Sequence, residues 1–146
     1  MKKPSSWVLK SILFGFLLLL CAVILFILLY NHISEQYAQS DPMLKEIKQQ
    51  LLQLHPLIKN IAFYEGKKSY TINKKKIYLC LRDPVSHEYY PQNMLMYVAI
   101  HELAHVLCNE IGHTARFQEI FHELLSQAHE IGIYDPHQPI LRDYCL

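Results

Sequence analysis

His101-Glu102-Leu103-Ala104-His105 is the stretch from which the rest of the sequence is best understood. Apolar residues flank it on both sides, 94–100 before it and 106–107 after it, and this pattern predicts a buried helix. Four residues along a helix the direction of the side chain nearly repeats, one turn higher, so both imidazoles leave the same face. They could hold one Zn²⁺ with bonds of roughly 2.0–2.1 Å, while the glutamate beside them takes a proton from the attacking water.

A metal site has a simpler alternative, in which the two histidines and the glutamate lie on a polar face of a helix. The apolar flanks argue against it, because burying these polar side chains without partners would be costly. An open catalytic site is favoured over a closed structural one, since Glu102 has no obvious structural task. We therefore predict His101 and His105 as zinc ligands and Glu102 as the general base.

A catalytic zinc site needs a third protein ligand, and His113 is the next candidate. In an unbroken helix it would lie about 12 Å along the axis from His105, too far to share an ion. The helix must therefore end near residues 108–110. Gly112 gives the chain the freedom to turn back, and Thr114 is a favourable N-cap for a following helix. We predict that His113 is the third zinc ligand.

Cys108 and His122 are two further candidates for metal ligands. Cys108 follows His101 by seven positions and shares its helix face, so a thiolate ligand is conceivable, although a buried apolar role is favoured. His122-Glu123 begins a second motif of the same kind, but Ser126 occupies the position of the second histidine. His122 is therefore predicted to lie on an exposed helix face.

The chain has 146 residues, 51% of them hydrophobic, and a net charge of +1. This length corresponds to one domain, and the near-neutral charge gives no clear indication of nucleic-acid binding. The partners we expect are a protein or peptide substrate and a lipid bilayer. The sequence leaves the oligomeric state open.

The bilayer is expected because residues 12–30 form an uncharged apolar run about as long as a membrane is thick. A cleaved signal peptide is the alternative, but the run is longer than the usual signal and no convincing cleavage site follows it. Lysines before the run place residues 1–11 in the cytosol as a short tail and the domain on the lumenal or extracellular side. Residues 31–41 are predicted to be a tether to a domain formed by 42–146.

We predict that this domain is small, α+β and zincin-like, with three main helices and a short β-meander. Asp41 is predicted to be the N-cap of the first helix, and residues 83–91 form a loop that leads into the motif helix as a candidate rim of the active site. Residues 42–54, 92–108 and a segment after Thr114 are the expected helices, and 61–64, 69–72 and 77–81 are the expected strands.

Several side chains have roles that the sequence leaves open. Tyr134, Tyr97 and His87 are candidates to stabilise an oxyanion. Three cysteines lie outside the apolar run, an odd number, so two of them could pair in an oxidising compartment while all would stay reduced in the cytosol. They are Cys80, Cys108 and Cys145.

The motif and the residues after it resemble the SprT-like and WLM-type zinc peptidase families. The resemblance lies in His-Glu-Leu-Ala-His followed by Gly112-His113-Thr114 and Phe117, and it covers about residues 77–146. It implies zinc ligands at His101, His105 and His113, a general base at Glu102, and a packing role for Phe117. The role in DNA–protein crosslink cleavage known for SprT-like proteins is not expected of this chain, because it has no clear basic groove and has an apolar anchor segment instead.

The sequence also resembles short peptidase-like proteins of large DNA viruses, many of them membrane-anchored. The shared segments are 80–83, 93–100, 111–114, 132–134 and 144–145. We therefore predict a membrane-anchored zinc metallopeptidase that hydrolyses peptide bonds. The alternative is a non-catalytic, membrane-anchored structural or interaction module that uses zinc only for folding.

Overall fold

The structure is a computed structural model that describes residues 6–145. Residues 1–5 of the predicted tail and residue 146 of the predicted domain lie outside the described residues. The chain divides into two compact units, Met1–Tyr37 and Ala38–Leu146, which are described separately below.

Among its described residues the first unit consists of one helix, α1 (Ser6–Ala38), of 33 residues. It contains the predicted span 12–30 and continues through residues 31–38, so most of the predicted tether is helical. None of its residues is buried. By length and composition α1 is able to cross a membrane.

The second unit contains three helices and a three-stranded sheet, which agrees with the predicted α+β class. Its elements begin and end within two residues of the predicted positions, and a short 3₁₀ helix, Pro56–Asn60, had not been predicted. In chain order the elements are α2 (Pro42–Leu54), β1 (Ala62–Glu65), β2 (Tyr70–Ile72), β3 (Lys76–Leu79), α3 (Gln92–Leu107) and α4 (Ala115–Glu130).

The sheet is not the predicted meander. Its order is β1-β3-β2, with β1 parallel to β3 and β2 antiparallel to β3. The central place of β3 follows from its side chains, because Ile77 and Leu79 are fully buried. Strand β2 has exposed residues at both ends, as expected for an edge strand. Apolar alternation showed which face of each strand is buried, but it carries no information on which strands are neighbours.

Strands β2 and β3 are joined by a tight turn at Asn73 and Lys74, both of which have positive φ angles. The N–H of Lys75 donates to the carbonyl of Ile72 at 3.1 Å and closes the turn. The Lys74 Nζ donates to the carbonyl of Cys108 at 2.6 Å. The hairpin is thereby connected to the end of α3.

Helix α2 begins as predicted, with the Asp41 carboxylate accepting a hydrogen bond from the Met43 N–H at 2.8 Å. The same carboxylate accepts from Arg82 at 2.7 Å, and the guanidinium also pairs with Glu65. Arg82 thus joins the start of α2 to the end of β1. The apolar face of α2 supplies Leu44, Ile47 and Leu51 to the core.

The core lies around α3, which is apolar on nearly every side and has ten buried residues. Helix α4 is amphipathic and packs its apolar face against α3. Thr114 is the N-cap of α4, as predicted, since its Oγ1 accepts from the Phe117 N–H at 3.3 Å. The buried residues of α4 are Phe117, Phe121, Leu124 and Ala128.

A disulfide joins Cys80, just after β3, to Cys145. Cys108 is a free, fully buried thiol. This pairing is one of the possibilities that the sequence left open, and the bond connects residues 65 positions apart.

Candidate metal centre

The imidazoles of His101, His105 and His113 converge on one point. The Nε2 atom of His113 lies 3.1 Å from that of His105 and 3.0 Å from that of His101. Three nitrogens bound to one tetrahedral zinc at roughly 2.0–2.1 Å would be roughly 3.3 Å apart. The two distances from His113 match this spacing to within a few tenths of an ångström, all three ligand atoms lie within 4.8 Å of one another, and neutral nitrogen donors suit zinc.

The turn that brings His113 back to the helix has the predicted features. Helix α3 ends at Leu107, and the Cys108 N–H still donates to the Ala104 carbonyl at 2.8 Å. Gly112 has a φ of +86°, a left-handed conformation that glycine adopts without steric cost. The chain therefore reverses within a few residues, and the predicted proximity of the three histidines is confirmed.

Phe117 packs beneath the three imidazoles. Its ring centroid lies 4.3 Å from that of His105, 4.8 Å from that of His113 and 5.0 Å from that of His101. Because Phe117 is fully buried in the first turn of α4, it connects the ligand geometry to the core. This is the packing role that the family resemblance implied.

The surroundings lower the pKa of two of these histidines, His101 and His105. Burial, followed by the neighbouring His105 and His113, lowers the pKa of His101 to about 4. Burial and the proximity of His113 also lower the pKa of His105. Near neutral pH these imidazoles are therefore unprotonated, which is the form that binds a metal.

Glu102 lies beside the histidine cluster, and 5% of its surface is exposed. Its Oε2 atom accepts a hydrogen bond from the Thr71 hydroxyl at 2.8 Å. Burial raises the pKa of Glu102, while the bond from Thr71 opposes the rise. A buried carboxylate with a raised pKa is a stronger base than an exposed one, which suits the predicted role.

Sequence reasoning missed Thr71. A signal was present, because alternation in β2 places Thr71 on the opposite face from Tyr70 and Ile72, both of which are exposed. A threonine on the inward face of a strand needs a hydrogen-bond partner, and the buried carboxylate of Glu102 was the polar group available.

Two cavities meet beside His101, and both are lined by Ser69, His101 and Glu102, whereas His105 and His113 line only the larger one. The larger, of about 690 Å³, runs along β2 and the turn after α3. The smaller, of about 450 Å³, lies between α3 and residues 140–145. A bound chain could therefore pass the metal centre with space on both sides.

The structure separates several other candidates from the centre. Cys108 is buried, and the histidine cluster does not include it. The predicted rim loop, 83–91, lines neither cavity, and His87 lines a separate depression with Pro84. The rim prediction was wrong because the loop packs towards Asp41 instead, where Tyr89 bonds the carboxylate at 3.0 Å.

The two tyrosines proposed for the oxyanion differ in position. Tyr97 lines the smaller cavity together with His101, one helical turn away. Tyr134 is mostly buried and lines a different depression beside Gly132. Of the two, Tyr97 is the residue with access to the site. His122 is exposed, as predicted.

Comparison with known proteins identifies viral relatives, and no family model matches the chain. Protein 136R of Invertebrate iridescent virus 6 is 50% identical over 91 residues, or 61% of this chain and 51% of that protein. Protein 042R of Invertebrate iridescent virus 3 is 49% identical over 89 residues, or 61% and 56%. Protein R325 of Acanthamoeba polyphaga mimivirus is 40% identical over 95 residues, or 61% and 48%. The chain thus spans about half the length of these relatives, and the predicted resemblance to viral proteins is confirmed.

Among solved structures, the fold is similar to that of Wss1 from Saccharomyces cerevisiae. The TM-score is 0.54 at 24% sequence identity, and the match covers 61% of this chain and 76% of that chain. A mutant of the same yeast protein also matches with a TM-score of 0.54, at 23% identity. The similarity shows a shared fold.

Proposed function

We propose that this chain is a zinc-dependent metallopeptidase that hydrolyses peptide bonds. The observation that carries the proposal is the convergence of three imidazole nitrogens beside one buried carboxylate. Three protein ligands leave a coordination position open for water or substrate, as catalytic zinc sites require. The fold shared with Wss1 supports a WLM-type, peptidase-like role.

When bound by His101, His105 and His113, zinc would supply a Lewis acid that acidifies water and polarises the scissile carbonyl. Glu102 takes the proton of the attacking water and passes it to the leaving amine. The hydroxyl of Thr71 holds the carboxylate in position through its 2.8 Å hydrogen bond. Burial favours the proton-accepting role by raising the pKa of Glu102.

Strand β2 is a suitable platform for a peptide substrate. It is the edge strand next to the larger cavity, and Tyr70 and Thr71 line that cavity. An extended peptide could add to this edge by main-chain hydrogen bonds, a common mode of peptide recognition. The bond to be cut would then lie over the histidines and Glu102.

The alternative is a structural zinc module, which would need a closed site with a fourth protein ligand. Among residues 6–145, the ligand cluster consists of His101, His105 and His113, and Cys108 does not join it. The open fourth position favours the enzyme. The carboxylate of Glu102 beside that position favours it further, because a folding site has no use for a buried base.

We further propose that α1 anchors the domain in a membrane, with its N-terminus in the cytosol. Its apolar surface is exposed throughout, and lipid would cover it. The Cys80–Cys145 disulfide supports a domain on the oxidising side of the membrane. Protease added to sealed vesicles should digest a domain inside them only after detergent is added. Digestion without detergent would contradict this orientation.

Glu102→Gln tests the enzyme most simply, because it removes the base and keeps the shape. We expect the full-length chain with this change to retain zinc and to lose peptide hydrolysis by at least about a hundredfold. The matched control is Glu123→Gln, which changes the exposed glutamate after His122 in α4. Equal hydrolysis by wild type and Glu102→Gln would overturn the proposal.

A further inference from the structure

The smaller cavity beside the metal centre is mostly apolar. Helix α3 supplies Met94 and Val98 to one wall, and the 140–145 segment supplies Ile140 and Leu141 to the other. Glu102 is the one carboxylate among its lining residues, whereas Lys68 and Arg142 both contribute cationic side chains. The cavity therefore suits an apolar side chain and disfavours a cationic one.

The end of the 140–145 segment is held in place by one disulfide and by hydrogen bonds of Tyr144 and Cys145. The Cys80–Cys145 disulfide joins it to the end of β3. The Tyr144 hydroxyl donates to the Cys80 carbonyl at 2.6 Å and lies 2.7 Å from the Ser69 hydroxyl. The Cys145 N–H donates to the Tyr90 hydroxyl at 2.9 Å. These links fix the C-terminal end of the wall, and Ile140 is partly buried against the core.

The smaller cavity also lies where a substrate side chain would reach it. A peptide along β2 would cross from the larger cavity, beside residues 70–74, to the smaller one, beside Lys68 and Ser69. A peptide added antiparallel to β2 runs in that direction from its N-terminal to its C-terminal end. Antiparallel addition is the more stable pairing per residue.

We propose that the smaller cavity receives an apolar side chain of the substrate residue that follows the cut bond, and that Leu141 and the Cys80–Cys145 link define this preference. This inference rests on the proposed function. About 450 Å³ is enough for a single large apolar side chain. The cations Lys68 and Arg142 would repel a lysine or arginine at the same position.

The test compares two peptides that differ only in leucine or lysine after the cut, with full-length, zinc-loaded protein in detergent micelles. We expect kcat/KM to be higher for the leucine peptide by at least about tenfold. Leu141→Asp should remove most of this ratio. Ile131→Asp is the matched control, since Ile131 is 45% exposed, Leu141 is 41% exposed, and Ile131 lines neither cavity. Cleavage sites mapped by mass spectrometry should show the apolar residue after the cut.

A second variant tests the role of the disulfide. Cys145→Ser should lower the leucine-to-lysine ratio while the zinc content of the protein stays the same. A general loss of structure would instead lower zinc content and the cleavage of both peptides together. An unchanged ratio in Cys145→Ser would overturn the role that we assign to the link.

A binding measurement separates failure of this inference from failure of the proposed function. Fluorescence anisotropy would record binding of both labelled peptides to the Glu102→Gln protein, with and without Leu141→Asp. Leucine-selective binding that depends on Leu141 would support the cavity even if the wild type hydrolysed neither peptide. Equal cleavage and equal binding of the two peptides would overturn the cavity and leave the peptidase intact.

Discussion

Helices α3 and α4 each have 16 residues, and each contains a His-Glu pair well before its C-terminal turn, His101-Glu102 and His122-Glu123, yet only the first pair belongs to the candidate metal centre. In α3, His101 is half-buried and Glu102 is buried. In α4, His122 and Glu123 are both exposed. The two pairs have the same chemistry, so the difference lies in what surrounds them.

Three features of its surroundings distinguish the His101-Glu102 pair in α3. A second histidine stands one turn later, His113 returns from the following turn, and Thr71 donates a hydrogen bond to the carboxylate. The pair in α4 has Ser126 at the equivalent position and lies on the polar face of an amphipathic helix. We therefore expect a His-Glu pair to bind a metal only where the fold brings further ligands and a positioning group to it.

The contrast between the two helices can be tested by giving α3 the residue that α4 has at the position of the second histidine. His105→Ser removes one of three ligands, and we expect zinc affinity to fall roughly a thousandfold, since one ligand carries about 4 kcal/mol of the binding free energy. The reciprocal Ser126→His completes the four-residue spacing in α4 but supplies no third ligand. Competition with a chromogenic chelator measures both. Tight zinc binding in α4 of the Ser126→His, His105→Ser double variant would contradict the account.

The packing beneath the centre gives the next largest effect. Phe117→Ala leaves a void under the three imidazoles, and we expect the free energy of unfolding to fall by about 3 kcal/mol. Gln118→Ala changes the exposed neighbour in the same helix and should alter it by no more than about 0.5 kcal/mol. Urea denaturation followed by near-ultraviolet circular dichroism would compare them. Equal effects would show that Phe117 is not part of the core.

The hydrogen bond from Thr71 to Glu102 is a further feature that the pair in α4 lacks, and its contribution can be measured. Thr71→Val keeps the shape of the side chain but removes the donor to Glu102, and we expect kcat to fall about tenfold with zinc content unchanged. Thr71→Ser keeps the hydroxyl, so its kcat should be close to that of the wild type. Peptide hydrolysis at saturating substrate measures both variants. Identical rates in valine and serine variants would remove Thr71 from the positioning role.

The smallest expected effect concerns the start of α4. Thr114→Ala removes the hydrogen bond to the Phe117 N–H, and we expect the free energy of unfolding to fall by about 1 kcal/mol. Thr114→Ser retains the capping oxygen and serves as the control. The same denaturation experiment reports both. A loss in the serine variant as large as in the alanine variant would assign the effect to the methyl group instead.

Much of the helical structure could be predicted because its signals are local. Asp41 and Thr114 are side-chain caps, and Gly112 marks the reversal that brings His113 towards His105. These depend on residues within one or two turns of each other, which the sequence displays directly.

The parts that could not be predicted depend on contacts between distant residues. The sheet order differs from a meander because β1 pairs in parallel with β3 rather than with β2, and apolar alternation does not specify which strands are neighbours. The Cys80–Cys145 pair joins positions that only the folded chain brings together. The bond from Thr71 to Glu102 spans 31 residues and depends on the hairpin lying against α3.

Zinc content of the purified full-length chain, measured by mass spectrometry beside His113→Ala and His122→Ala, tests the central claim most directly. We predict one zinc per chain for the wild type and for His122→Ala, and strongly reduced retention for His113→Ala. No zinc in a folded wild-type chain, or equal retention without His113, would contradict a three-histidine centre.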